Sequence, residues 1–303
     1  MYNWNDLKYF LELSRRGKLV EAARKLHVDH TTVSRRITAL EEALNARLFD
    51  KSPRGYQLTD AGLRLLPLAE QMESQSTTLY QSISGKDASF SGTVRLAAPE
   101  AMGINIIAPN MGRFREKYPD IELELVAETR QTSLSKREAD IAITLARPVS
   151  GRLVAWKLCD YRLRLYGAPS YLEKHPAIRT VDDLSDHQFI GYIDDLIQMP
   201  ELRFMDELLK NPRIIFRSSN VMAQYKAALQ GVGLAIIHCF MATNEPGLVP
   251  ILSDEISVGR QYWLMVHEDL HKVARIDAVC KFLTDLFRQN QHLMLGETGQ
   301  TIF

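Results

Sequence analysis

The chain has 303 residues, 46% hydrophobic and 24% charged, with 37 basic and 37 acidic side chains. That length suits two or three domains, and the balanced charge gives no overall field pointing to nucleic acid. Cys159, Cys239 and Cys280 are an odd number with no C-x-x-C spacing, which argues against a disulfide framework or a zinc site.

No stretch approaches the roughly 20 apolar residues of a membrane span. Asn3, Asn5, Asp6 and Lys8 interrupt any N-terminal apolar run of the secretory type. The expectation is a chain kept in the reducing cytoplasm, away from membranes. Charge is unevenly spread, however. Residues 1–60 carry 11 Lys and Arg against 8 Asp and Glu, a mild excess that permits a basic face there.

Residues 4–16 place Leu7, Phe10, Leu11 and Ser14 on one helical face, and Gly17 stops that helix. A short helix follows over about 19–25, with Val20, Ala23 and Leu26 expected inward. His27-Val28-Asp29 is a turn. A third helix spans about 30–45, with Val33, Ile37, Leu40 and Leu44 at steps of four, three and four. Two short strands around Ser52-Pro53-Arg54-Gly55 complete a winged helix-turn-helix.

In such a unit the second helix of the pair enters the major groove by its N-terminal residues. Ala22 and Ala23 supply the small residues needed where the two helices cross. Thr31, Thr32 and Ser34 offer hydroxyls to phosphate or base edges, and Arg35 has the fork that pairs with guanine, worth about 1–3 kcal/mol of discrimination. An Arg-Arg pair is usually a solvated helix face. Here the small-residue helix, the basic helix and the wing occur together, which favours DNA.

Thr59 is a cap for the next helix, expected to run to about Ser84. Its apolar positions, Leu66, Ala69, Met72, Leu79 and Ile83, read as a seam for another chain and as too few for a core. Pro67 inside it predicts a kink or a local break. Gly85 to Gly92 is the clearest linker.

Beyond Gly92 strands and helices alternate, the pattern of a parallel sheet with covered faces. The strands are TVRLAAP, IELELVAE and ADIAITLA, then from near Asp160 YRLRLYGA, QFIGYI, RIIFRSS, GLAIIH and QYWLMVH. Amphipathic helices are expected at INIIAPNMGRFREKY, after IELELVAE, at MAQYKAALQG and at VARIDAVCKFLTDLFRQN. Two α/β lobes joined by crossing strands enclose a cleft, and open α/β sheets bind ligands at the carboxyl ends of their strands.

The run LKYFLELSRRGKLVEAARKLHVDHTTVSRRITALEEALNARLFDK, followed by LTDAGLRLL, resembles the LysR-type transcriptional regulators in residue type and spacing, and the resemblance extends over the full chain. It implies an α/β protein with a mainly α winged helix-turn-helix at 1–58 and a dimerising linker helix at 59–86. The effector domain at 92–303 would be two-lobed, like periplasmic binding proteins. Lobe I would take about 92–159 and 267–303, and lobe II about 160–266. Such proteins bind an inverted repeat in double-stranded DNA, assemble as dimers and as tetramers built from two dimers, answer to a small-molecule effector and contact RNA polymerase. They need no cofactor or metal and have no catalytic residue.

Carried over position by position, His30, Thr31, Ser34 and Arg35 match base-contacting positions. Thr32 and Arg36 match positions beside phosphate, and Arg54 the wing residue of the minor groove. Lys18 stands where the family often has Ser, so the second helix lacks its usual cap. His30 and Thr31 stand where Gln and Pro are frequent, which points to a different operator.

The family's effector touches the loop after the first strand of the effector domain, here Pro99, Glu100, Ala101, Met102 and Gly103. Many members have Ser or Thr at the position of Met102, which bonds an effector carboxylate. Met102 cannot, so either the effector is held otherwise or its contact there is apolar. Arg130 matches another contact position and has the fork for an anion, although a solvated arginine is the default there. Thr144, Leu145 and Ala146 end one strand at the cleft mouth, and Tyr192, Ile193 and Asp194 end another. Asn220 opens a helix whose amides favour an anion, a preference that Asp194 opposes. His238 stands where the family commonly has Pro. It is a candidate to read the effector or pH, against the commoner case of a histidine satisfied by local hydrogen bonds. Cys159 and Cys239 lie 80 positions apart beside apolar strands, so buried inert thiols are expected rather than a redox switch.

Two other classes share an α/β pattern of this kind, an enzyme and a solute-binding protein. The chain contains no G-x-S-x-G, H-E-x-x-H, G-x-x-x-x-G-K-[ST] or G-x-G-x-x-G. The isolated Gly231-Val232-Gly233 lies between a helix and a strand, the wrong order for a dinucleotide turn. A solute-binding protein would need a signal peptide and no DNA-binding head.

Overall fold

The computed structural model describes residues 2–52, 55–84, 90–128, 139–148, 152–209 and 211–297. They form two units, divided between Asp87 and Ala88.

The first unit holds α1 (Trp4–Arg16), α2 (Leu19–Leu26), α3 (His30–Leu44), the hairpin β1 (Phe49–Ser52) and β2 (Gly55–Leu58), and α4 (Asp60–Ser84). The Asn3 side chain caps α1 by accepting from the Asn5 amide at 3.0 Å, and Gly17 ends it at φ 69°. Leu7, Phe10, Leu11 and Leu13 of α1 meet Ala22 and Ala23 of α2 and Val33, Ile37 and Leu40 of α3 in one buried cluster. Val20, expected inward, is 59% exposed. The stripe α2 buries is Leu19, Ala22, Ala23 and Leu26, at steps of three, one and three, and Val20 lies about 100° away from Leu19.

The hairpin is tied to the helices by backbone. The Glu41 carboxylate of α3 accepts from the Leu48 and Phe49 amides at 2.7 and 3.2 Å. The Tyr56 amide donates to the Gly17 carbonyl at 2.7 Å. Gly55 sits at φ 122°, and a Cβ there would lie 2.3 Å from the Gly17 oxygen, so only glycine fits this contact.

Thr59 caps α4, its hydroxyl oxygen accepting from the Gly62 amide at 3.1 Å. The helix continues through Pro67, so no break forms there. The expectation that α4 has too few apolar residues for a core is corrected: Leu65, Leu66, Ala69 and Met72 pack into the buried cluster of the first unit. The sparse pattern misled because the partner surface is the unit's own α1 and hairpin, which a narrow stripe suffices to cover. Leu79 and Ile83 lie outside the described side chains.

The second unit contains β3 (Gly92–Ala98), α5 (Glu100–Met102), α6 (Met111–Lys117), β4 (Ile121–Ala127), β5 (Ile141–Thr144) and β6 (Leu153–Gly167). It continues with α7 (Pro169–Leu172), β7 (Gln188–Tyr192), α8 (Phe204–Leu208), β8 (Arg213–Ser218), α9 (Val221–Leu229) and β9 (Leu234–His238). Then come α10 (Cys239–Ala242), β10 (Val249–Ile251), β11 (Ser257–His267), α11 (Ala274–Gln289) and α12 (Gln291–Leu295).

The described strands of the second unit form one nine-stranded sheet, ordered β4-β3-β5-β11-β6-β9-β7-β8, with β10 on β6. It is mixed rather than parallel. β3 runs parallel to β4 and β5, and β7 parallel to β8 and β9. Between these two parallel ends β6 and β11 pair antiparallel from Ser257 opposite Arg164 to His267 opposite Leu153. The alternation of strand and helix identified the parallel ends. It could not give the direction of two long strands that return through the middle.

The segment read as one amphipathic helix over 104–118 is broken in register. Gly103–Ile107 is a π-turn, Ala108–Asn110 a 3-10 turn, and only α6 is regular. Pro109 accounts for this, since it has no amide to donate and its ring would clash with the Asn105 carbonyl in an unbroken α-helix. The helix expected after β4 lies outside the described residues.

Candidate functional site

On α3 the buried positions Val33, Ile37 and Leu40 lie on one side. His30, Thr31 and Arg35 are exposed, and Thr32, Ser34 and Arg36 are half-buried. His30 and Ser34, like Thr31 and Arg35, are four apart and so share a face. The first turn of α3 carries no acidic side chain and Asp29 makes no side-chain cap bond. The helix end therefore presents its positive dipole end beside the hydroxyls and the guanidinium, a surface suited to phosphate.

Arg36 points away from that face. Its Nη1 donates to the buried Asp6 carboxylate at 3.3 Å, and its guanidinium lies 5.9 Å from the Tyr9 ring centroid. In this conformation Arg36 ties α3 to α1. Arg54 lies outside the described residues. Lys18, at the start of α2, makes no side-chain cap bond.

In the second unit a cavity of about 240 Å³ opens where β3, β5, β7 and β9 end. Pro99, Glu100, Ala101, Thr144, Ala146, Tyr192 and His238 line it, together with Glu128, Gln198, Glu201, Val221 and Tyr262. A neighbouring recess shares Glu100, Glu128 and Tyr192 and reaches Asn220. Thr144 spends its hydroxyl on the Ala146 carbonyl, at 2.8 Å.

Two expected contacts are corrected. Met102 is fully buried in the core and does not line the cavity, because the turn from Glu100 carries it onto the face packed against the sheet. Asp194 also stays outside: its carboxylate pairs with Arg217 Nη1 at 2.9 Å, and that guanidinium donates to the Tyr192 carbonyl at 2.9 Å. Asn220 lies in the recess, and its Oδ1 caps α9 by accepting from the Ala223 amide at 2.9 Å. Arg130 lies outside the described residues.

His238 is 5% exposed, between the Tyr161 ring at 5.4 Å and the Phe240 ring at 5.0 Å. Its Nδ1 is buried with no hydrogen-bond partner among the described residues, so that nitrogen is not satisfied locally. Burial lowers its pKa to about 4, which keeps the ring neutral at pH 7. Burial raises the Glu100 pKa, and its Oε2 has no hydrogen-bond partner among the described residues. Burial and the Glu100 charge together push Tyr192 up.

Glu128, Gln198, Glu201 and Tyr262 were missed in the sequence. Tyr262 sits mid-strand in an apolar run, and residues 198–201 belong to a connection without a motif. The three thiols are free and buried. Among the described residues no cluster of metal-ligand type occurs, and no helix is long and apolar enough to cross a membrane.

Residues 4–63 match the bacterial regulatory helix-turn-helix domain of the lysR family, and residues 87–288 match the LysR substrate binding domain. An HTH-type transcriptional regulator of Xanthomonas campestris is 31% identical over 62% of this chain, a match spanning 54% of the relative's length. The HTH-type transcriptional regulator CrgA of Neisseria meningitidis is 26% identical over 84% of this chain and 87% of its own. The full-length structure of the Vibrio cholerae virulence activator AphB is 25% identical, with a TM-score of 0.59 over 93% of this chain and 99% of that one.

Proposed function

This chain belongs to the LysR family of DNA-binding transcriptional regulators, which are not enzymes, and we propose that α3 reads an inverted-repeat operator in the cytoplasm, one recognition helix per half-site. His30, Thr31, Ser34 and Arg35 face base edges, while Thr32 and Arg54 serve the phosphates and the minor groove, and Arg36, held by Asp6, braces α3 against α1. Two chains pair through α4, and two such dimers form a tetramer. The organisation is a head at 1–58, a linker at 59–86 and an effector domain at 92–303.

A small molecule between the lobes, touching Pro99, Glu100, Ala101, Thr144, Ala146, Tyr192 and His238, biases how the dimers are set. That bias changes DNA bending and contact with RNA polymerase. The effector acts only through its differential affinity for the two arrangements.

The observation that carries the reading is α3 itself, with Val33, Ile37 and Leu40 buried and His30, Thr31 and Arg35 exposed on the far side. Footprinting on the DNA upstream of the chain's own gene tests it. Two protected half-sites about one helical turn apart, or a multiple of that, are expected. Protection without two-fold symmetry would count against the paired reading.

A further inference from the structure

The cavity carries an unusual polar inventory. Glu100, Glu128 and Glu201 are among the residues that line it, and among its described lining residues there is no lysine or arginine. Glu100 Oε2 is buried with no hydrogen-bond partner. His238, 5% exposed, brings an imidazole whose Nδ1 is likewise unpartnered. The buried Tyr262 hydroxyl makes no hydrogen bond of sound geometry, with the Tyr161 ring stacked at 4.0 Å. The amide end of α9, an ordinary attraction for anions, has its Ala223 amide taken by Asn220.

A buried acceptor without a donor is costly, and the cost is recovered only by a group that donates to it. A neutral imidazole offers one donor and one acceptor, and no positive charge. A ligand carboxylate would add like charge beside Glu100 in a site of low dielectric, where the interaction is far stronger than in water. An ammonium or hydroxyl would satisfy Glu100 Oε2 instead.

We propose that this cavity selects a small compound that donates hydrogen bonds, an amine or an alcohol on an apolar body, over carboxylate anions, with Glu100 as the selecting residue and His238 as its polar companion. The proposal rests on the reading of the cavity as the effector site. The apolar body packs on Ala97, Ala142 and Val221, which also line the space.

The test uses the full chain and matched fragments, namely benzylamine, benzyl alcohol and benzoate, with aliphatic counterparts of the same three kinds. Dissociation constants are measured by ligand-detected NMR at pH 7.5. Amines and alcohols are expected to bind roughly tenfold or more tightly than their carboxylate twins, the scale of a charge-assisted bond. Glu100→Gln keeps the shape and removes the charge, so it should collapse that preference about tenfold at an unchanged melting temperature. Carboxylates binding best would overturn the proposal while leaving the effector cavity in place. No fragment of any kind responding to Glu100→Gln would overturn both.

Discussion

The Arg15 guanidinium of α1 grips the Glu73 carboxylate of α4 through two parallel bonds, Nη2 to Oε2 at 2.6 Å and Nη1 to Oε1 at 3.2 Å. Arg15 is 5% exposed and Glu73 26%. The pair joins the first helix of the head to the seventy-third residue of the chain, just beyond Met72, where α4 still packs on the head's core. Removing Glu73 leaves the buried Arg15 guanidinium with the longer bond to Glu12, at 3.5 Å, in place of the bidentate pair. Glu73→Ala should therefore cost about 1–3 kcal/mol in the head's unfolding transition, read by calorimetry on the full chain. An unchanged transition would mean that water replaces the carboxylate freely.

The wing depends on a backbone contact that no side chain tolerates. Gly55→Ala places a Cβ 2.3 Å from the Gly17 oxygen, at φ 122°. A loss of about 1–3 kcal/mol is expected, with weaker DNA binding because the hairpin must shift. A variant that melts and binds like the parent would show that the hairpin moves at no cost.

His238 should leave a mark on stability against pH. Its pKa is lowered to about 4 by burial, from an ordinary value of 6.5. Below pH 6.5 the unfolded chain takes up a proton that the folded chain refuses. This contribution is therefore fully present above that pH and is lost as pH falls from about 6.5 towards 4, on the order of 3 kcal/mol in all. The difference between parent and His238→Phe in urea unfolding should fall across that window. Parallel curves would mean the ring is solvated.

The thiols should be inert. Burial pushes Cys159 and Cys280 up to about 12 and Cys239 up as well, so at pH 8 they remain protonated. Iodoacetamide should label none of them in the native chain and all three after urea. Rapid native labelling, or operator binding that responds to peroxide, would reopen a redox role.

Much of the architecture is legible in residue spacing. The alternation of Val33, Ile37 and Leu40 on α3, and the turn residues around Ser52 and Gly55, are local signals with a direct physical cause. What could not be read depends on which neighbour an element meets. Val20 and Leu19 are equally apolar, and only the crossing with α1 and α3 chooses between them. Ala69 reads as part of a seam for another chain until α4 is laid on the head, where it is buried. Met102 follows the cleft loop in sequence, but one helical turn faces it to the core. The Arg217 pairing that holds Asp194 out of the cavity joins two strand ends 23 positions apart, a distance no local pattern spans.

The central claim is that Arg35, exposed on α3, reads a base. The measurement that tests it is binding of parent and Arg35→Ala to the upstream DNA and to random DNA, across a salt titration. If Arg35 pairs with a guanine, the variant loses about 1–3 kcal/mol on the operator, relaxes its preference at one base pair, and keeps most of its affinity for random DNA. An equal loss on both DNAs, with a shallower salt slope, would show that Arg35 meets only phosphate and that the reading of α3 is wrong.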